Sequence, residues 1–278
     1  MTKIAVLGAN GTVAQHIVPA LLQAGHQVFA ASRSGKSESA AVGASVDFAE
    51  PDTFVPLFQQ VETAYVMLPT GNVDIEAKLL PIIDIAAKNN VKVVFQSVFG
   101  VDADDSIPYR KVELALIASG IPYVILRPNW FMDNFHTFWL AGIKHGELAL
   151  PAGDARTSFI DARDIADSAV VALTTNTFDN QAFDLTGAEA LSYAEAVATI
   201  SYVINQPIRY EASTADSFID TLINAGVDSN YAHFLAAIFE PVAAGFTAAV
   251  TQHVALITGH KPRSLNDYLS AHASKFSL

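Results

Sequence analysis

The chain has 278 residues, of which 51% are hydrophobic, and a formal net charge of −12 at pH 7. This length allows one large α/β domain or a core domain with a smaller lobe. The acidic balance argues against a nucleic acid partner, because a phosphate backbone is bound by a cationic stripe. The absence of cysteine excludes disulfides, thiol catalysis and cysteine-ligated metal. With no bilayer-length apolar run and no evident signal peptide, we expect a cytoplasmic protein without a membrane partner.

The first residues predict a buried strand, a tight turn and a helix. Residues 4–7 are apolar and run into Gly8, and Gly11 and Ala14 follow at steps of three. In a dinucleotide site the first glycine allows the turn, the second allows close approach of a pyrophosphate, and the small third residue lets the helix pack on the strand. The helix N-terminus then faces the phosphates. We therefore assign to the cofactor site the residues Gly8, Asn10, Gly11, Thr12 and Val13.

The end of the second strand, predicted at 27–31, bears on the choice of cofactor. A site that prefers NAD usually has an acidic residue here to bind the ribose 2′-hydroxyl. This chain instead has Ser32 and Arg33, and the first acidic residue is Glu38. A cation with hydroxyls suits a 2′-phosphate, so we expect NADP as cofactor. The alternative is a solvated loop with ordinary cations.

Strand-like and helical segments alternate through the first half of the chain. Alternation of this kind predicts right-handed βαβ units and a parallel sheet covered on both faces. Strands are predicted near 3–7, 27–31, 45–48, 63–67, 91–97 and 122–126, and helices near 11–24, 51–60, 73–89 and 108–119.

Two further strand ends are candidates for contact with the cofactor, because ligands bind beyond the carboxyl ends of such strands. Asp47 and Phe48 end the predicted third strand, near the expected position of the adenine. Met67, Leu68 and Pro69 follow the fourth strand and are placed beside the cofactor.

The second half of the chain is less regular. Its aromatic residues at 129–160 have a helical spacing that is typical of core packing. Helices are predicted near 193–204, 214–225, 231–256 and 264–273. The expected fold is a Rossmann-type doubly wound parallel sheet with a smaller, mainly helical C-terminal substrate lobe. Residues 1–128 would form the NADP-binding domain, and residues 129–278 would complete the core sheet and form the lobe.

Four segments, at 6–14, 119–134, 159–166 and 183–187, carry a resemblance to a known family. In order and spacing they resemble the atypical short-chain dehydrogenase/reductases, specifically the NmrA-like branch. That branch includes NADP-dependent triphenylmethane reductases and one type of NAD(P)H:quinone oxidoreductase. The Leu-Arg-Pro-Asn-Trp-Phe-Met run at 126–132 is most similar to that subgroup.

The chain departs from the superfamily in its proton relay. Ordinary members use Tyr-x-x-x-Lys, in which the lysine lowers the pKa of the tyrosine that protonates a carbonyl oxygen. No tyrosine of this chain has lysine four residues later. Against extended members, the lysine and tyrosine positions fall on Tyr109 and Asp105, with Lys111 nearby but off register. Tyr109 or Lys111 could act as a donor, or both could belong to a surface helix N-terminus.

A missing dyad suits acceptors that need little acid catalysis. Hydride addition to a quinone or a cationic dye gives a product whose charge is delocalised or cancelled, so positioning matters most. The candidates are Ser97, where the superfamily often keeps a serine that bonds substrate or nicotinamide, and Asn129 and Trp130 at the substrate edge. Each has a structural alternative, as a strand end or as packing of the lobe. The histidines show no metal-ligand spacing, so we expect no metal site.

The first hypothesis is thus an NADPH-dependent oxidoreductase whose substrate is a quinone or a similar flat aromatic molecule. The second is a non-catalytic NADP-binding redox sensor, which the resemblance to the NmrA-like branch also allows. Isomerase or epimerase chemistry is disfavoured by the missing dyad. The sequence leaves the oligomeric state open, a homodimer included.

Overall fold

The computed structural model describes residues 1–37 and 39–276, so Glu38 lies outside the described residues. The chain forms two compact units. The sheet unit contains residues 1–128, 162–185 and 253–260. The helical unit contains residues 129–161, 186–252 and 261–276 of the described chain.

The sheet unit is built on seven parallel strands in the order β3-β2-β1-β4-β5-β6-β9. The strand order reverses between β1 and β4, so their carboxyl ends form the crevice where this fold binds ligands. The strands of the sheet are β1 Lys3–Leu7, β2 Gln27–Ser32, β3 Val42–Ser45, β4 Thr63–Val66, β5 Lys92–Gln96, β6 Tyr123–Pro128 and β9 Gln181–Leu185. The predicted Rossmann-type α/β fold is confirmed.

Helices cover both faces of the sheet. Successive strand residues point to opposite faces, and both sets are buried: Ala5 and Leu7 pack in one core cluster, while Ile4 and Val6 are buried outside it. Helices α1 and α6 pack together, as do α3 and α4. The helices of this unit are α1 Ala14–Gln23, α2 Val55–Phe58, α3 Ile75–Lys88, α4 Pro108–Ala118, α6 Ala162–Thr174 and α11 His253–Thr258, with 3-10 turns at Pro51–Phe54 and Val101–Ala103.

The helical unit has its own core around Phe135, Phe159 and Tyr193, all fully buried. Its helices are α5 Leu140–Lys144, α7 Tyr193–Ile204, α8 Ala215–Asn224, α9 Ser229–Ala237, α10 Glu240–Ala243 and α12 Leu265–His272, with 3-10 turns at Met132–His136 and Ala273–Phe276. Its strands are β7 Glu147–Leu150, β8 Arg156–Thr157, β10 Leu191–Ser192 and β11 Arg209–Ala212. Strand β7 pairs with β11, and β8 pairs with β10. Over the described residues, every helix is too short or too polar to cross a membrane.

Two predicted elements are wrong. The predicted helix at 231–256 is broken into α9, α10 and α11, because Pro241 starts a new helix and Gly245 adopts a left-handed φ of 81°. The predicted third strand at 45–48 lies instead at 42–45, so Asp47 and Phe48 follow it rather than end it. Strand boundaries are weakly marked in short edge strands, and β3 has no fully buried residue.

A buried charge network ties β6 to its neighbours. Glu113 of α4 is fully buried and accepts two hydrogen bonds from Arg127 of β6, at 2.9 and 2.8 Å. Arg127 also binds Asp102, after β5, at 2.5 Å and lies 3.5 Å from Asp184 of β9. Burial opposes the charge of Arg127, but the hydrogen bonds and charge of Glu113 outweigh it and raise the pKa of Arg127. The network therefore links β6 to α4, to the segment after β5 and to β9.

Removal of the Glu113 carboxylate tests this network. We expect Glu113→Ala to lower the free energy of unfolding by about 3 kcal/mol, because Arg127 would lose its buried partner. Glu76→Ala is the matched control, since Glu76 forms an exposed ion pair with Lys111 at 2.9 Å, and such pairs contribute about 1 kcal/mol or less. Urea denaturation of both variants measures the difference. Equal effects of the two substitutions would contradict a stabilising role for the buried pair.

Candidate cofactor site

The turn between β1 and α1 has the geometry expected of a phosphate-binding loop. Gly8 has a φ of 64°, in the left-handed region that favours glycine. A Cβ added to Gly8 would lie 2.8 Å from Sδ of Met67, so a side chain here would force Met67 to move. The turn is closed by Gly11, whose N–H donates to the Gly8 carbonyl oxygen at 2.7 Å. A Cβ at Gly11 would lie 3.0 Å from the same carbonyl oxygen, so the tight turn favours glycine at both positions.

Several N–H groups of this turn are unpartnered. Among the described residues, the amides of Asn10, Thr12 and Val13 donate to no protein acceptor, and Val13 begins α1 without a side-chain cap. The first N–H groups of a helix have no acceptor within it, and they carry the positive end of its dipole. The turn thus presents donors and partial positive charge to an anion, as a diphosphate site requires.

The loop after β2 adds full positive charge at the same edge of the sheet. Arg33 and Lys36 are exposed, and neither side chain forms an ion pair with another described residue. The loop is held in place by Ser45 of β3, whose hydroxyl donates to the Arg33 carbonyl oxygen at 3.2 Å. The hydroxyls of Ser32 and Ser34 lie 3.2 Å apart. This loop offers cations and hydroxyls to a phosphate.

The residues predicted after β3 and β4 also lie beyond the carboxyl ends of their strands. Asp47 is in a turn, where its carboxylate accepts from the amide of Ala49 at 2.8 Å, and the ring of Phe48 packs edge-on against Phe54. Of the three residues that follow β4, Met67 and Pro69 are partly exposed and Leu68 is buried.

Ser97 has a feature that is unusual for a strand end. Its side chain is 3% exposed, and among the described residues its hydroxyl has no hydrogen-bond partner. Leaving a buried hydroxyl unpaired costs about 1–3 kcal/mol, and Ser97 follows β5 at the carboxyl edge of the sheet, so it stays a candidate for contact with a ligand. Next to it, Tyr65 donates a hydrogen bond to Oε1 of Gln96. Burial raises the pKa of Tyr65 far above its ordinary value, so this phenol stays neutral.

Two of the candidate donors lie on α4. The ring of Tyr109 stacks on Phe95 of β5, with 6.3 Å between centroids, and is half-buried against the sheet core. Lys111 is exposed and paired with Glu76. The position four residues after Tyr109, where a lysine would make Tyr109 the start of a Tyr-x-x-x-Lys motif, is Glu113 of the buried network. We did not assign Glu113 from the sequence, although its spacing from Tyr109 could have drawn attention to it.

Asn129 and Trp130 lie in the helical unit, where both side chains contact other residues of the same unit. Asn129 is 3% exposed, and its amide nitrogen donates to the Ser158 hydroxyl and the Thr247 carbonyl oxygen, each at 2.8 Å. Its amide oxygen accepts from the N–H of Trp130 at 2.9 Å. The Trp130 ring stacks on Trp139 with 6.0 Å between centroids. A direct substrate contact by either residue stays a prediction.

One group of acidic and imidazole side chains has ligand atoms close enough for a metal ion. It consists of Asp164, Asp167 and His260, whose ligand atoms lie within 4.8 Å of one another. Nε2 of His260 is 3.2 Å from a carboxylate oxygen of Asp167, which is an ordinary ion pair when the histidine is protonated. We assign no metal to it.

The parallel sheet with its reversal of strand order and the glycine turn between β1 and α1 define a Rossmann-type α/β protein. Within that class the chain belongs to the NmrA-like family, whose model matches residues 1–269. It is thereby a member of the atypical short-chain dehydrogenase/reductases, as the sequence motifs predicted.

Two relatives match the chain along almost its whole length. An uncharacterised oxidoreductase, YesF, of Bacillus subtilis is 29% identical over 98% of this chain and 95% of its own. The NAD(P)H azoreductase of Xenophilus azovorans is 29% identical over 98% of this chain and 99% of its own.

Two solved structures share the fold. The NADPH-dependent quinone oxidoreductase of Escherichia coli, complexed with NADPH, has a TM-score of 0.84 at 18% identity, over 96% of this chain and 99% of that chain. The triphenylmethane reductase of Citrobacter sp., complexed with NADP(H), has a TM-score of 0.82 at 19% identity, over 97% and 99% of the two chains.

A pair of glycine substitutions tests the cofactor turn. We expect Gly8→Ala and Gly25→Ala each to cost about 1–2 kcal/mol of stability, because both glycines are left-handed. Only Gly8→Ala should also weaken NADP⁺ binding, by about tenfold or more, because its Cβ would collide with Met67. An alanine at position 25, at the far end of α1, would have nothing within 4 Å of its Cβ. Calorimetric titration and denaturation measure the two effects. Undiminished affinity in Gly8→Ala would contradict this placement of the diphosphate.

Proposed function

We propose that the protein is an NADPH-dependent oxidoreductase that transfers hydride to a quinone or a similar flat aromatic acceptor. The observation that carries the proposal is the opening turn, whose amides at Asn10, Thr12 and Val13 have no protein acceptor among the described residues. Family membership and the oxidoreductases among the relatives support the reaction class. The quinone, azo and triphenylmethane reductases among the similar proteins support a flat, conjugated acceptor.

The residues of the sheet unit fit a nicotinamide dinucleotide. The unpartnered amides of the turn would bind the diphosphate, and Arg33 with Lys36 would bind a 2′-phosphate. The Ser97 hydroxyl, which has no partner among the described residues, would form a hydrogen bond with the nicotinamide or the substrate. The bound cofactor would supply the hydride, and these residues would hold and orient it.

The face of α4 gives no sign of the usual proton relay. Four residues after Tyr109, where a lysine could have paired with that tyrosine, stands Glu113, which the guanidinium of Arg127 holds in a bidentate pair. A carboxylate fixed in this way cannot lower the pKa of Tyr109 as a cation would. An acceptor that delocalises the incoming charge needs no strong acid, so positioning of the two reactants would carry the catalysis.

Replacement of Arg33 tests the choice between NADP and NAD. We expect Arg33→Ala to raise the Kd for NADP⁺ about tenfold to a hundredfold, because a hydrogen bond to a charged group contributes about 1.5–3 kcal/mol. The Kd for NAD⁺, which has no 2′-phosphate, should change little. Lys88→Ala is the control, since Lys88 is an exposed cation at the end of α3 paired with Asp84. Equal losses for NADP⁺ and NAD⁺ would argue against a 2′-phosphate contact.

Two buried hydroxyls without partners allow a matched test of Ser97. Thr63 is, like Ser97, 3% exposed with an unpaired hydroxyl among the described residues, but it begins β4 at the amino edge of the sheet. We expect Ser97→Ala to lower kcat/KM about tenfold through loss of one ligand hydrogen bond. Thr63→Val should leave kcat/KM unchanged. A similar kcat/KM for both variants and the parent would remove Ser97 from the site.

Turnover decides between an enzyme and the redox-sensor alternative. NADPH oxidation is followed at saturating cofactor with a panel of quinones, azo dyes and triphenylmethane dyes. We expect turnover with at least one of these classes of acceptor. The Kd for NADPH should be the same whichever class of acceptor is used. Tight NADPH binding without turnover of any acceptor would overturn the catalytic proposal and favour the sensor. Absence of NADPH binding would overturn both.

A further inference from the structure

Met67 lies directly against the opening turn. A Cβ added to Gly8 would be 2.8 Å from its Sδ and 3.7 Å from its Cε, so the thioether fills the space beside the turn. Met67 follows β4, whose Tyr65 and Val66 are fully buried, but it is itself partly exposed. Met67 therefore combines a partly exposed side chain with a sulfur atom that lies against the proposed diphosphate turn.

This sulfur is chemically distinct within the chain. The sequence has no cysteine and three methionines. Met1, at the start of the chain, is 92% exposed, whereas Met132 is 3% exposed in the core of the helical unit. Met67 is thus the sulfur-containing residue at the cofactor turn, with an exposed and a buried methionine as internal references.

We propose that Met67 is an oxidative modification site whose sulfoxide weakens dinucleotide binding. A peroxide supplies the oxygen: a sulfur–oxygen bond forms at Sδ, the peroxide O–O bond breaks, and water leaves. The sulfur loses two electrons and the peroxide gains them. Oxidation converts a flexible apolar side chain into a polar, chiral one. The proposal rests on the proposed function to the extent that the dinucleotide binds at this turn.

The geometry explains why the product should interfere with binding. A Cβ at Gly8 would come within 2.8 Å of the Met67 sulfur, so an oxygen added on that side would crowd the turn. An oxygen added on the opposite side would project towards the bound cofactor. In the second case its partial negative charge faces the diphosphate. Either result places the amides of the turn less favourably for an anion.

Bound dinucleotide would in turn shield the exposed side of Met67. Oxidation would therefore proceed on the cofactor-free protein, and its product would bind cofactor less well. Peroxide would thus oxidise Met67 mainly when nicotinamide cofactor is scarce. Methionine sulfoxide reductases would reverse the change.

The first experiment measures the modification itself. The full chain is exposed to hydrogen peroxide with and without saturating NADP⁺, and the sulfoxide content of each methionine is followed by peptide mass spectrometry. We expect Met1 to oxidise readily, Met132 slowly, and Met67 at an intermediate rate that NADP⁺ slows about tenfold or more. Oxidation of Met67 as slow as that of Met132, or at a rate indifferent to NADP⁺, would overturn the proposal.

The second experiment measures the consequence for binding. After removal of peroxide, calorimetry is expected to show a Kd for NADP⁺ raised about tenfold, and treatment with both methionine sulfoxide reductases should restore it. Met67→Leu, a substitution of similar volume, should have the same Kd for NADP⁺ before and after peroxide treatment, because it carries no sulfur at this position.

The outcomes separate this inference from the proposed function. An unchanged Kd in protein shown to carry Met67 sulfoxide would overturn the inference and leave the cofactor site intact. The same would follow if Met67→Leu lost affinity on peroxide treatment as the parent does. Untreated parent protein that fails to bind NADP⁺ would instead overturn the proposed function.

Discussion

The left-handed turn at Gly8 is the constraint on which the proposed site depends. It occurs where β1 ends and α1 has not begun, and among the described residues the amides of Asn10, Thr12 and Val13 have no acceptor there. An unpaired amide is costly when buried, but it can bind an anion. The positive φ of Gly8 favours glycine, and the Met67 thioether packs against the turn. The local strain and the binding potential thus have one origin.

The parallel sheet brings other candidate residues to the edge at which this turn lies. The carboxyl ends of β1, β2, β4 and β5 lie at one edge, which places the glycine turn, Arg33, Met67 and Ser97 along a common border. The same edge is secured by ionic contacts, since Arg127 links β6 to α4, to the segment after β5 and to β9. A carboxylate of that network stands four residues after Tyr109.

The sequence allowed most of the cofactor half to be predicted, since strands buried on both faces and the glycine spacing leave strong local signals. The predicted strand 3–7 and the predicted helix 193–204 match β1 and α7. Prediction failed where signals are weak or compete. The edge strand β3 was misplaced by three residues, and the apolar run at 231–256 concealed the interruptions at Pro241 and Gly245. The substrate-facing candidates were harder still, because Asn129 proved to be fully hydrogen-bonded within the helical unit.

By itself the sequence determined the Rossmann-type fold, the family and the position of the glycine turn, because these depend on residue periodicity and on spacings within a few residues. Only the tertiary structure decided which polar groups are satisfied. Among the described residues the hydroxyl of Ser97 has no partner, the carboxylate of Glu113 is bound by Arg127, and the sulfur of Met67 lies against Gly8. These relations join residues far apart in the chain, so burial and hydrogen bonding between elements had to be seen before they could be assigned.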